Sequence, residues 1–272
     1  MTGKLYVVGT PIGNLRDITL RALDTLKAAD IIASEDTRHT AILLNAYGIS
    51  KPMISYYRPK ERETAAKLIA ELEAGKNIAI VTDAGMPALS DPGAVIVDEC
   101  IKRGIPIESV PGPSAVITAF SVSGITETGF VFLGFLPDKT GERKRAIARI
   151  PSFGMPVAIF VAPHDAEKIL RELRSEPGIG RITVVKELTK LHETIIRIPE
   201  DIPADIDYRG EFVVIAEPKK TASSSSDEAF KALDALISRG ETPSRAVKEI
   251  AEAYSANKNA LYKYLVDKKN RS

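Results

Sequence analysis

The 272-residue chain has no tryptophan, a single cysteine (Cys100) and three histidines, His39, His164 and His192. One thiol excludes a disulfide framework and a thiolate zinc site. Three scattered histidines offer no metal-ligand spacing, so no metal is expected. Charge of one sign is also missing: 37 Lys and Arg face 36 Asp and Glu, for a formal net charge of +1. No global basic field advertises nucleic acid, although a local basic face survives such averaging. No apolar run approaches the roughly 20 residues of a membrane helix, and the N-terminus enters a strand without a signal-peptide pattern. These absences predict a soluble, cytoplasmic protein. What is present is an ordinary globular composition, 44% hydrophobic and 27% charged, over a length that suits two domains and an appendix.

Short β-branched runs at Leu5–Val8, Ile31–Ser34, Asn77–Thr82 and Ile105–Val110 alternate with helical stretches at Thr19–Ala29, Ala41–Tyr47, Arg62–Ala74 and Val95–Arg103. Such alternation predicts a parallel sheet covered by helices on both faces. Ligands of these sheets sit on the loops after the strands, here Gly9–Asn14, Glu35–Thr40, Asp83–Gly93 and Pro111–Ser114. A small-residue helix at Ser114–Ser123 follows. Strands are then expected at Phe130–Phe135, Val157–Val161, Arg181–Glu187, Glu193–Ile198 and Glu211–Ala216, with helices at Glu142–Arg149 and Asp165–Ser175. Their short links predict a mixed sheet. The reading is therefore α/β, with an N-terminal domain over 1–112 and a second over 113–220. Thr221–Ser226 (TASSSS) reads as a linker. Residues 227–272 read as three helices with a helix-turn-helix outline, Pro243 starting the middle one.

The first loop, Gly9-Thr10-Pro11-Ile12-Gly13-Asn14, stands where a dinucleotide turn would stand but lacks its G-x-G-x-x-G spacing. Pro11 removes an N–H donor and Ile12 adds bulk, both against a pyrophosphate cradle. A ligand with apolar surface and little anionic charge suits this turn better than a phosphate. Thr82–Gly93 crowds two Asp, two Gly and two Pro into twelve residues, which specifies a backbone, either a stiff loop or a pocket wall. In Val110–Ala115, Pro and Gly shape a turn and Ser114 can cap the next helix. Glu35, Asp36, Arg38 and His39 cluster at one strand end; Lys186, Glu187, Lys190, His192 and Glu193 cluster at another. Each reads as a solvated charge group or as substrate-orienting chemistry.

Taken in series, "GTPIGNLRDIT", "SEDTR", "DAGMPALSDPG", "VPGPSA", "GFLP" and "KELTKLHE" resemble the small-subunit ribosomal RNA methyltransferases of the tetrapyrrole (corrin/porphyrin) methylase family, over roughly residues 4–217. The resemblance implies two α/β domains with S-adenosylmethionine in the cleft between them. It implies 2′-O-methylation of a cytidine in small-subunit rRNA near the decoding site, and a homodimer. Gly9, Pro11 and Ile12 match the family's first cofactor-bordering turn. Asp83, Ala84, Gly85, Met86 and Leu89 match the loop against the donor's methionine and ribose parts, and Ser114 and Ala115 a pair in the same pocket. Val161 and Ala216 fall where the second domain closes on the cofactor.

Glu35, Asp36 and Arg38 match the family's acceptor-side motif, with Glu35 or Asp36 as base or orienter and Glu187 and Lys190 as second-domain partners. The chain departs from the family at Thr82 and Met86, where Ser and Thr are usual. It departs again at Phe160–Asp165, which lacks the usual Glu and Arg. Tyr56–Glu63 replaces another motif and carries Arg58, Lys60 and Arg62, a patch suited to RNA phosphates. Two rival readings share parts of this pattern: a precorrin or uroporphyrinogen C-methylase, and a helix-turn-helix regulator with a metabolite-sensing domain.

Overall fold

The computed structural model describes residues 2–219, 224–254 and 256–269. It divides into two units, Met1–Pro218 and Lys219–Ser272.

The first unit holds two five-stranded sheets. Strands β1 (Leu5–Val8), β2 (Ile31–Ser34), β3 (Met53–Ser55), β4 (Ile78–Val81) and β5 (Ile107–Val110) form the first, in the order β3-β2-β4-β1-β5 with every pairing parallel. Alternate strand residues are buried on opposite faces, as the continuous apolar runs require. Leu5, Ile31, Ile78 and Ile80 pack with Leu68 and Leu72 of α3 (Glu61–Glu73) and Ile96 and Cys100 of α4 (Ala94–Arg103). Val8, Ile32, Ala79 and Val81 pack with Ala22 and Leu26 of α1 (Leu20–Ala28) and Leu44 of α2 (Thr37–Ala46). Because the sheet is wholly parallel, the loops after β1, β2, β4 and β5 all emerge at one edge.

The second sheet has the order β6-β7-β10-β8-β9, from β6 (Val131–Phe135), β7 (Val157–Val161), β8 (Ile179–Lys186), β9 (Thr194–Ile198) and β10 (Phe212–Pro218). It is mixed: β6 and β7 are parallel, and the other pairings antiparallel. One face is covered by α6 (Thr140–Arg149) and α7 (Ala166–Ser175) through Ile147, Leu170 and Leu173. The other is covered by α5 (Ala115–Val122) through Val116 and Ala119, against Ala158, Val185, Val213 and Ile215. Ile12 belongs to this second core, although its loop leaves the first sheet. The bulk that argues against a pyrophosphate thus joins the two sheets.

In the first unit, β3 and α2 depart most from the sequence expectation. The edge strand β3 is three residues long and half-exposed, too short to leave a period. Helix α2 starts at Thr37 rather than at 41, because Asp36 caps it.

The second unit is three helices, α8 (Ser224–Ser238), α9 (Pro243–Ala253) and α10 (Lys258–Lys269), around Leu233, Val247, Ile250 and Leu261. Residues 224–226, expected in the linker, belong to α8. The apolar contacts of Ala229 and Leu233 support a helix that extends back through residues of middling propensity. Thr221–Ser223 lies outside the described residues. Among the described residues no helix is long and apolar enough to cross a membrane.

Candidate functional site

Three loops of the first sheet are stitched together at its carboxyl edge. Thr10 and Gly85 exchange backbone hydrogen bonds of 2.9 and 3.2 Å, and the Thr10 hydroxyl donates to the Thr82 carbonyl at 3.0 Å. Gly9 and Gly112 meet backbone to backbone: a Cβ on Gly9 would lie 2.7 Å from Gly112 and 2.6 Å from the Met86 sulfur. Only glycine permits this approach.

The loop between β4 and α4 is held in an unusual path, with Ala88 and Ser90 at φ of 70° and 68°. Its exit is fixed from outside. Glu61 Oε1 accepts the Gly93 N–H at 2.8 Å and the Tyr56 hydroxyl at 3.1 Å, while the Tyr56 oxygen accepts the Ile96 N–H at 3.2 Å. Helix α4 has Gly93 at its N-cap and no side-chain cap of its own, so Tyr56 and Glu61 satisfy its first donors.

These loops and the facing end of the second sheet enclose a cavity of about 440 Å³, a size suited to a small organic ligand. From the first sheet come Ile12, Glu35, Asp83, Ala84, Gly85, Met86, Leu89 and Asp91; Ser114 and Ala115 follow from the turn into α5. The second sheet adds Phe135, Phe160 and Val161, then Val185 and Leu188, and Glu211 with Phe212 and Val213. The lining is apolar apart from Ser114 and four carboxylates, and it contains no Lys, Arg or His. Burial raises the Glu35 pKa, and the neighbouring Asp91 and Asp83 charges add to it. Asp91 is raised by burial and Asp83, against the opposing pull of Arg58.

The structure separates the acids that the sequence groups together. Glu35 lines the cavity; Asp36 and Arg38 do not. The Asp36 carboxylate accepts the Arg38 backbone N–H at 2.8 Å as the N-cap of α2, and the Arg38 guanidinium grips it at 2.7 and 3.1 Å. Those bonds hold the Asp36 carboxyl far below the usual carboxylate range, so it is a helix cap and a poor proton acceptor. Its backbone N–H donates to Asp83 at 3.2 Å.

Glu187 and Lys190 also stand behind the lining. Lys190 Nζ lies 2.9 Å from both Glu187 Oε1 and Glu211 Oε2, and the Glu211 N–H donates to Glu187 at 2.8 Å. Burial works against ionising Glu187, but the Glu211 N–H and the Lys190 ammonium outweigh it and lower its pKa. Burial also opposes the charge of Lys190, and its two carboxylate partners outweigh that and raise its pKa. This pair therefore holds Glu211 in place and does not reach the cavity itself. A Cβ on Gly13 would lie 2.7 Å from Lys190 Cγ, which brings the first turn against the same cluster.

Gly9 and Pro11 lie outside the lining, Gly9 supporting Met86 from below. Ala216 shares a strand face with Phe212, in the core on the α6 and α7 side, but sits at the far end of β10 beside Val157; distance along the strand removes it from the cavity. Arg58 is exposed and donates to the Ser90 carbonyl, and its charge reaches Glu35 and Asp91. Lys60 and Arg62 are exposed nearby in sequence.

Sequence reasoning missed Asp91 and most of the second-sheet wall. Asp91 was available within a loop already singled out. Phe135, Phe160, Val185 and Phe212 become neighbours only through the register that pairs Phe212 with Val161 and with Lys186, which apolar runs do not encode.

Comparison with known proteins places this geometry. The family model for Tetrapyrrole (Corrin/Porphyrin) Methylases matches residues 4–203. The chain is 39% identical over 274 residues to Ribosomal RNA small subunit methyltransferase I of Haemophilus influenzae, covering 97% of this chain and 96% of that protein. It is 43% identical over 218 residues to the protein of the same name from Coprothermobacter proteolyticus, covering 98% of that protein but 79% of this chain. Among solved structures it is similar to uroporphyrin III C-methyltransferase from Thermus thermophilus, with a TM-score of 0.55 and 20% identity over 79% of this chain and 97% of that one. Diphthine synthase is similar with a TM-score of 0.63 and 16% identity over 80% of this chain and 90% of that one. At such identities the structural likeness speaks for the fold alone.

Proposed function

The chain belongs to the ribosomal RNA small subunit methyltransferase I branch of the tetrapyrrole (corrin/porphyrin) methylase family, and from that premise we propose its reaction. It transfers a methyl group to the 2′-hydroxyl of a cytidine ribose in small-subunit rRNA near the decoding site. Members of the family take that methyl group from S-adenosylmethionine. The enzyme works as a cytoplasmic homodimer, and sedimentation at twice the 29.5 kDa chain mass is the result expected for the purified protein.

One observation carries the site reading: the cavity has four carboxylates and no cationic side chain in its lining. Such a lining disfavours a phosphate-bearing cofactor and attracts a cation set in an apolar body, which describes a sulfonium donor. When bound, S-adenosylmethionine supplies an electrophilic methyl group on a positively charged sulfur. The residues that would hold it are Ile12, Asp83–Met86, Leu89, Ser114, Ala115 and Val161. Phe135, Phe160 and Met86 keep water from the reacting centre.

Glu35 accepts the proton of the ribose hydroxyl, since a buried carboxylate beside two others holds a proton more readily than an exposed one. Asp83 and Asp91 keep it so disposed, and Lys190 with Glu187 steadies Glu211 on the opposite wall. Arg58, Lys60 and Arg62 take the phosphates that flank the target nucleotide.

Labelled S-adenosylmethionine, offered with small ribosomal subunits lacking this methylation, tests the reading. After digestion to nucleosides, label in 2′-O-methylcytidine supports it. Label on a base, label in a tetrapyrrole supplied in parallel, or no transfer with tight binding to duplex DNA would each overturn it.

A further inference from the structure

Among the described residues, none of the second unit, Lys219–Ser272, is in the cavity lining. The Coprothermobacter relative carries the same name, yet the alignment that spans nearly all of it leaves about a fifth of this chain unmatched, the size of this unit. That supports a role outside methyl transfer itself.

Its last helix, α10, has two different sides. Leu261 is buried, with Tyr264 and Leu265 packed beside it; Tyr264 stacks on Phe230 at 4.2 Å and donates to Asp234 at 2.8 Å. Lys268 pairs with Asp234 at 2.6 Å on that side. The other side carries Lys258 and Tyr262 one turn apart, and beside them Asn259 and Lys263 at the same spacing, all exposed. Among the described residues no carboxylate lies within ion-pair distance of Lys258 or Lys263, and the face turns acidic only at Asp267, one turn further on. Asn257 Oδ1 accepts the Asn259 and Ala260 N–H groups at 2.8 and 3.3 Å, fixing where the helix begins. Helix α9 packs against α10 across the short connection that precedes Asn257. In helix-turn-helix proteins that bind DNA, it is the N-terminal residues of the second helix that contact the bases.

We propose that Lys258, Asn259, Tyr262 and Lys263 form an anchoring face that grips a segment of the substrate RNA other than the methylated nucleotide. Two uncompensated ammonium groups take backbone phosphates, Tyr262 offers a ring for an unpaired base to stack on, and Asn259 supplies donors and an acceptor. The occupant is RNA because the proposed function makes RNA the acceptor, so the inference rests on that reading. An anchor of this kind strengthens binding and leaves the chemical step alone.

The test uses the full-length protein and small ribosomal subunits, with both methyl transfer and direct binding measured over a salt series. Lys258→Glu/Lys263→Glu and Tyr262→Ala are compared with wild type, and with Lys27→Glu on α1 as a control for net charge. The expected result is a KM at least tenfold higher for the double variant and several-fold higher for Tyr262→Ala, with kcat within twofold of wild type. The slope of log affinity against log salt should become shallower by about 1.4–1.8 for the double variant, two phosphate contacts being lost. Unchanged melting temperatures are expected, because all the altered side chains are exposed. Wild-type KM and salt slope in both variants would overturn the inference. So would wild-type affinity for random duplex DNA equal to that for subunits and lost on the same substitutions, which assigns the face to DNA. If wild type transfers no methyl to subunits, the proposed function fails, and the binding arm still decides the anchoring face.

Discussion

Single residues set the chemistry through burial and company. Asp36 and Glu35 are adjacent carboxylates with opposite fates, one locked ionised under an arginine and a helix N-terminus, the other drawn into an acidic cavity. As the acceptor of the hydroxyl proton, Glu35 must be ionised, so single-turnover rate should rise with pH through a value above the ordinary carboxylate range. Glu35→Gln should lower that rate at least 100-fold while leaving cofactor affinity within a few-fold, as calorimetry would report. The same group affects folding. Its folded pKa is raised, so its contribution to stability is full below the unfolded carboxylate pKa and is lost as pH rises through the folded one. Glu35→Gln should therefore melt above wild type at pH 8 and level with it at pH 4. The adjacency of the two acids was plain in the sequence; their division of labour was not, because it depends on which side chain the Thr37 helix start captures. Gly9 offers a second test. Gly9→Ala must push against Gly112 and the Met86 sulfur and should cost about 1–3 kcal/mol with loss of cofactor binding. Gly141→Ala, in α6 with open space around it, should instead stabilise by up to ~1 kcal/mol in the same urea titration.

At the scale of elements, the parallel sheet and its loop edge were legible because its interior strands are continuous apolar runs punctuated by Gly, Pro and acids. The strand β3 was not, yet it delivers Tyr56 to the start of α4, and through α4 to the loop from Asp83 to Gly93. Tyr56→Phe removes the acceptor for the Ile96 N–H and one of the two donors to Glu61. We expect a loss of about 1–2 kcal/mol in urea unfolding, and a several-fold weaker cofactor because the wall formed by Met86 and Leu89 is less firmly held. Cofactor affinity unchanged in this variant would show that the loop keeps its path without the tyrosine.

For the whole molecule, composition and punctuation placed the two sheets and the three closing helices, while the cavity needed the register of the second sheet. The two units have separate cores. A chain ended at Pro218 should then keep the cofactor affinity of the full protein and the main thermal transition within a few degrees, losing only the signal of the helical unit. A collapse of the main transition on truncation would mean that the first unit depends on the second.

Ile12 leaves the first sheet near the beginning of the chain and is buried beside Val213 and Ile215, near the end of the first unit. During synthesis the core that holds this side chain, which also takes Val116, Ala158 and Val185, stays incomplete until β10 has left the ribosome, so the turn is not fully covered before then. The last strand of the first unit thus completes a core begun by a turn near its first, a long-range closure that folds later than local contacts do.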